Sequence, residues 1–529
     1  MTTTTSLRRL ALSRRHFLAT SAAAGAGFAL APKTVLSQDN RVLRTRMFSD
    51  INRLDPAVYE NSYNVDVINC LYHKLIDYVP NQESWEWELQ AAEEIEKVDD
   101  THIRFRLRQG IMWSNDYGEL TAEDVKYSFE RVIDPDLDSP VAGDFGPLES
   151  VDVEDDYNGV IVLSEPFEPL WLVALCYGVG HIVCKKAVEE ATGGDRFDMD
   201  PPPAFSGPYK LKEWRADEVT ILERNEAWTG EEQAFDEIRL YPIGDEQTAE
   251  ISYEAGDLDM TQPSVSSLPD YQADPPADTV VENYPSLFYV WLGINLYHEK
   301  FQDKKVRQAV QWAINVPQIL EAAYFGVADP ATGIIAPGLV GHRPEPLVPL
   351  EGDPERARSF LEEAGKSGMS VRVDVRNTST FSTAAQVIMS QLNQAGFDAS
   401  VQLHDPGVWW SLGSEAEGDQ WQDLELMLNR FSSLPDPYYA TQWFVPEQIG
   451  VWNWERFDNS RFAELHEKAV QESDEEERDR MYREMQDIME ESGAYRFITH
   501  ETNPVMYRDF IEPALRPDGI PLYHRFETS

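Results

Sequence analysis

Only three cysteines occur in 529 residues, Cys70, Cys176 and Cys184, so the chain can close at most one internal disulfide. Cys176 and Cys184 are the pair an oxidising compartment would join, and three buried thiols are the other reading. Positive charge is also scarce, with 45 Lys+Arg against 93 Asp+Glu. Such an acidic surface repels nucleic acid and serves solubility rather than recognition. No HExxH, GxSxG or CxxC motif is present, which argues against an exported hydrolase. The GKS at 365–367 imitates the end of a phosphate loop, but Phe360 stands where that loop needs glycine and the preceding residues read as a helix. DPDLDS at 134–139 resembles the start of a calcium loop, yet Ser139 occupies the glycine position and Phe145 the closing glutamate position. The ten histidines are scattered, so His404 and His500 read as satisfied polar residues rather than metal ligands or bases. No cofactor is expected.

What is present begins with an amino-terminal segment unlike the rest. The first 37 residues hold Arg8, Arg9, Arg14, Arg15 and Lys33, no acid, and an apolar stretch rich in Ala and Gly. SRRHFLA at 13–19 resembles a twin-arginine export signal, with Arg14 and Arg15 as the pair. The apolar run at 17–31 is shorter than the ~20 residues that span a bilayer, and no later run approaches that length. Processing near Ser37 removes five basic residues and leaves 40 Lys+Arg against 93 Asp+Glu, a formal charge of −53. The expected compartment is the periplasm.

The remaining chain is long enough for two or three cooperating units, and 42% hydrophobic residues with 14 Trp mark it as globular. IRFRL (103–107), VTILE (219–223), VRVDV (371–375) and VQL (401–403) alternate as half-buried strands. Helices lie between them. TAEDVKYSFERVI starts on Thr121 with Asp124 at the capping-box position, and DPERARSFLEEAG runs from an Asp353 cap to a left-handed stop at Gly365. Helical spacing over 461–491 is expected to break at the acids 475–477. The class is mixed α/β.

These segments resemble, in order, the peptide, opine and nickel class of family 5 extracellular solute-binding proteins. RLDPAVYE (53–60) and LYHKLIDY (71–78) open the series, and FRLRQGIMWSNDYGELTAEDVKYSFERV (105–132) is its most specific piece. SGPYKLKEW (206–214), LERNEAW (222–228), YEAGDLDM (253–260), VWLGIN (290–295) and KVRQAVQWAIN (305–315) follow. Some have a purpose of their own: Gly207 before Pro208 suits a turn close to another backbone, and Gly256 ends a helix before a short strand.

The resemblance implies a periplasmic-binding-protein fold, class II-like and of cluster C, with two lobes joined by a hinge. Its expected segments are a signal at 1–37, the first lobe at 38–78, an extra subdomain of that lobe at 79–164, the first lobe again at 165–288, the second lobe at 289–502, and a first-lobe return at 503–529. The chain would cross between lobes near 284–295 and 500–506. The implied function is capture of a peptide, opine, sugar or betaine-like solute, as a monomer, for an ABC permease. A periplasmic sensor shares the fold and is the alternative.

Peptide-binding members place an Asp three residues before an Asp-Pro pair to hold the ligand ammonium. Here the pair is Asp436 and Pro437, and Ser433 stands in place of that Asp. A buried ammonium would lack its charge-assisted partner unless Asp436 serves instead. Arg376 lies where dipeptide-binding members hold the ligand carboxylate, a task suited to its planar fork. Trp113, Trp409, Trp410, Phe431 and Trp443 are candidate stacking surfaces, each competing with a core role. On an extended segment only one of Trp409 and Trp410 can enter the core.

Overall fold

The structure is a computed structural model that describes residues 41–529; the export segment with Arg14 and Arg15 lies outside the described residues. Residues 42–529 form one compact unit built on two large sheets. The first has seven strands, in spatial order Thr279–Pro285, Thr502–Arg508, Met260–Thr261, Val42–Met47, Glu237–Pro242, Val219–Arg224 and Tyr209–Arg215. The second has five, Asp398–His404, Ser370–Arg376, Leu426–Phe431, Tyr289–Ile294 and Tyr495–Thr499. An antiparallel sheet of four strands, Ala92–Lys97, His102–Leu107, Asn158–Leu163 and Leu148–Val153, is separate from both.

The two lobes are joined by a double crossing. Strand Thr279–Pro285 of the first sheet leads to Tyr289–Ile294 of the second, and Tyr495–Thr499 leads back to Thr502–Arg508. Tyr284 faces Asn503 and Pro285 faces Thr502 on one side of the junction, and Val290 faces Thr499 on the other. Only residues 286–288 and 500–501 lie outside these ladders, so few backbone dihedrals need to turn for the lobes to swing, as in hinge closure.

Local chemistry explains the punctuation. Thr121 N–H donates to Asp124 Oδ2 at 2.9 Å at the start of Ala122–Ile133. Asp353 caps Pro354–Glu363, and Gly365 takes the left-handed φ of +67°. The break in 461–491 falls at 472–474, between helices Ser460–Gln471 and Glu475–Glu491. The acids 475–477 do not interrupt a helix; they occupy the first turn of the second one, where the helix dipole favours them. The opening RLDP run and the family helix meet through Asp55, which is fully buried and accepts from Arg131 Nη2 at 2.8 Å and Nη1 at 3.2 Å.

All three cysteines are free and buried, so the thiol reading holds and Cys176 is not joined to Cys184. Gly207 packs against the end of helix Ser62–Leu71, its N–H donating to Leu71 O at 2.8 Å. A Cβ there would lie 2.5 Å from Cys70 O. Gly207→Ala is therefore expected to cost roughly 1–3 kcal/mol, the usual range for overpacking against backbone, measured by urea unfolding.

Candidate functional site

A cavity of about 930 Å³ lies between the lobes. The first lobe lines it with Tyr59, Asp66, Asp144 and Tyr177 among others; the second contributes Arg376, Phe381, Ser433 and Tyr439. At its edge the lobes touch: Phe167 meets Tyr438 edge to face at 5.5 Å, and Gln471 Nε2 donates to Glu165 Oε2 at 3.4 Å.

Most charges in the cavity are already balanced. Arg516 forks onto Asp518 at 2.7 and 3.0 Å, and Arg430 Nε meets Glu501 at 2.6 Å while its guanidinium lies 3.5 Å over Phe288. Arg46 donates to three carbonyls, of Ile243, Gly244 and Gln262, with Glu246 nearby. Glu60 pairs with Arg53 at 2.9 Å.

Five charged groups of the lining make no ion pair among the described residues: Arg46 and Glu246, which feel each other's charge on the first-lobe wall, and Arg376, Asp66 and Asp144. Arg376 ends strand Ser370–Arg376 with its Nε buried and unpartnered. It is held only by rings, with Cζ 4.8 Å from the Phe381 centroid and 5.3 Å from that of Trp410. Burial and then the neighbouring Arg430 draw its pKa down against the partial relief of Glu501. Asp66 and Asp144 stand on the other wall. Asp66 has no hydrogen-bond donor, and burial pushes its carboxyl up to about 7 against the partial relief of Arg516. Asp144 accepts only the Tyr59 hydroxyl, at 2.8 Å, and burial pushes it up to about 6.

Of the eight ligand candidates from the sequence, Arg376 and Ser433 line the cavity. Ser433 Oγ donates to Leu434 O at 2.9 Å. Trp410, Phe431 and Trp443 do not line it; they form a series of ring contacts from Arg376 to Tyr439, with centroid distances of 5.9, 6.3 and 5.6 Å after Trp410. The others lie in structural roles. Trp113 is 2% exposed and its Nε1 donates to Asp124 Oδ2, the helix-capping acid, at 3.4 Å. Trp409 is fully buried against Trp454, while Trp410 is exposed; the two diverge on a helical turn, Pro406–Trp409, not on an extended segment. Asp436 cannot stand in for the missing anion, because it caps Pro437–Thr441 and accepts from Arg478 Nη2 at 2.9 Å through both oxygens. His404 is held by Asp374 at 2.8 Å, a satisfied polar role, whereas His500, also expected to be satisfied, is buried with neither ring nitrogen hydrogen-bonded.

Sequence reasoning missed Asp66 and Asp144. Asp66 left a trace as the one acid of helix Ser62–Leu71, seven of whose ten residues are buried. Asp144 lies in the short turn Ala142–Phe145, where no periodicity exists to expose it.

The model of the bacterial extracellular solute-binding proteins, family 5, matches residues 86–450. The chain belongs to this family. Among curated proteins it is similar to the glutathione-binding protein GsiB of Salmonella paratyphi A, 26% identical over 396 residues that cover 72% of this chain and 74% of that one. Among solved structures it is similar to the ABC transporter substrate-binding protein CtaP of Listeria monocytogenes, with a TM-score of 0.80 at 18% identity, covering 93% of this chain and all of that one. It is also similar to the dipeptide-binding protein of Pseudoalteromonas sp. SM9913 in complex with Met-Leu, with a TM-score of 0.74 at 21% identity over 92% of this chain and 100% of that one. Family membership gives the two-lobed fold its work: capture of a peptide-like or other small polar solute between the lobes, as the extracytoplasmic component of an ABC importer. The sensor and hydrolase alternatives gain no support. Among the described residues no helix is long and apolar enough to cross a membrane.

Proposed function

We propose that the solute is a peptide-like molecule bearing a carboxylate, which Arg376 receives in the interlobe cavity. The observation that carries this is the unpaired guanidinium of Arg376 at the cavity wall, its Nε buried without an acceptor. An Arg fork meeting a carboxylate forms two charge-assisted hydrogen bonds. The solute touches both walls, so it binds the closed arrangement better and shifts the population toward it. In this reading the chain leaves the cytoplasm folded, by the twin-arginine route, works as a monomer in the periplasm, presents its closed form to the permease and returns the solute unchanged.

The test is thermal unfolding of the purified mature chain against glutathione, dipeptides such as Met-Leu, oligosaccharides, opines, betaines and nickel complexes. A carboxylate-bearing peptide at a hundred times its Kd is expected to stabilise the fold by about 2.7 kcal/mol and to be recovered intact. Stabilisation by the uncharged sugars alone, or turnover of the solute, contradicts the proposal.

A further inference from the structure

The missing acid at position 433 leaves open where a solute's cationic end would go. Setting aside the balanced pairs and the mutually neighbouring Arg46 and Glu246, the cavity holds one unpaired cation, on the second lobe, and two unpaired carboxyls, on the first. We propose that the first-lobe wall carrying Asp144 and Asp66 receives the ammonium of a zwitterionic solute whose carboxylate lies on Arg376, so that the solute's two charges are divided between the lobes. This rests on the peptide-like reading above and goes beyond it, because it fixes the polarity of the bound solute and assigns its cationic subsite.

Three observations support the assignment. Both carboxyls line the same cavity as Ser433 and Tyr439, and the phenols of Tyr438 and Tyr439 on the second lobe are raised by burial and then by the nearby Asp144. Asp144 therefore neighbours helix Pro437–Thr441, which begins four residues after Ser433. Arg376 and Tyr439 are the two ends of a series of ring contacts through Trp410, Phe431 and Trp443 behind the cavity wall, so the cation stands apart from the tyrosine that neighbours Asp144. Finally, both carboxyls are held unusually reluctant to ionise by burial, a cost that an arriving ammonium relieves. Placing the two subsites on different lobes also links recognition to closure: a molecule with only one of the charges rewards only one wall.

Protonation adds a signature. Arg516, Asp518, Tyr63, Cys70 and Tyr523 surround Asp66, Tyr59, Tyr438 and Tyr439 surround Asp144, and Tyr177 feels both. The phenols and the thiol are raised, and Arg516 stays charged, so the two carboxyls are the groups of this cluster that change between pH 5 and 8. Affinity for an ammonium should therefore rise with pH across 6 to 7.

The experiment is calorimetric titration of the mature chain with Met-Leu and glutathione, each free, N-acetylated and C-amidated, at pH 5 and pH 8. The proposal expects Asp66→Asn/Asp144→Asn to lose at least tenfold in affinity for the free-amine peptides and less than threefold for the acetylated ones. Ser433→Asp added to that variant should restore most of the loss, which also shows that the variant is folded. Equal affinity for free and acetylated peptides, an unchanged double variant, or higher affinity at pH 5 overturns the proposal and leaves the Arg376 reading in place if amidation still weakens binding. If no peptide binds the unmodified chain, the peptide-like reading falls and the polarity with it.

Discussion

Asp436→Ala is expected to destabilise the mature chain by about 3–5 kcal/mol, the usual cost of leaving a buried charge uncompensated. Asp436 is 3% exposed and holds Arg478, 9% exposed, through both carboxylate oxygens. The same side chain caps the helix that carries Tyr438 and Tyr439, so the substitution also removes a capping bond. The position comes from a motif that sequence reasoning ties to ligand binding, and stability and binding are separable there. Chemical unfolding should show the loss, while the order of preference among bound peptides stays unchanged at low temperature. Pairing the change with Arg478→Met should recover most of the stability, since a buried pair is often replaced by apolar groups at little cost. A shift in peptide preference in place of a loss of stability would assign Asp436 to the ligand.

Arg376→Met is expected to have the second large effect. Removing one partner of a desolvated charge pair costs about 2 kcal/mol or more, roughly a 30-fold loss of affinity for carboxylate-bearing peptides. The fold should tolerate it, because the guanidinium makes no ion pair and its contacts are ring faces that a thioether also fills. Arg376→Lys should recover only part of the affinity, since an ammonium cannot reproduce the fork. Calorimetry with amidated peptides is the control: those ligands should be nearly indifferent to both changes.

Much of the fold was legible because it is written in short-range signals. The capping box at Thr121, the Asp353 and Gly365 bounds and the turn at Gly207 depend on neighbours within a few residues, and the structure places each where those signals put it. The cavity depends instead on what the crossing brings together. Asp66 and Arg376 are 310 positions apart, and nothing local to Asp144 distinguishes it from any surface acid. Asp436 misled for a related reason: its role is decided by Arg478, 42 residues away on another helix. The tryptophans divided as burial dictates, with Trp113 and Trp409 going to cores and Trp410 to a surface beside Arg376. Composition reveals that aromatic rings are available but not which wall they face.

The claim on which the rest depends is that a guest holds the lobes together. Small-angle scattering of the mature chain, empty and saturated with the peptide that stabilises it most, measures this directly. The account predicts a smaller radius of gyration on loading and no contraction with the same peptide lacking its carboxylate. Saturable binding with an unchanged radius would contradict it.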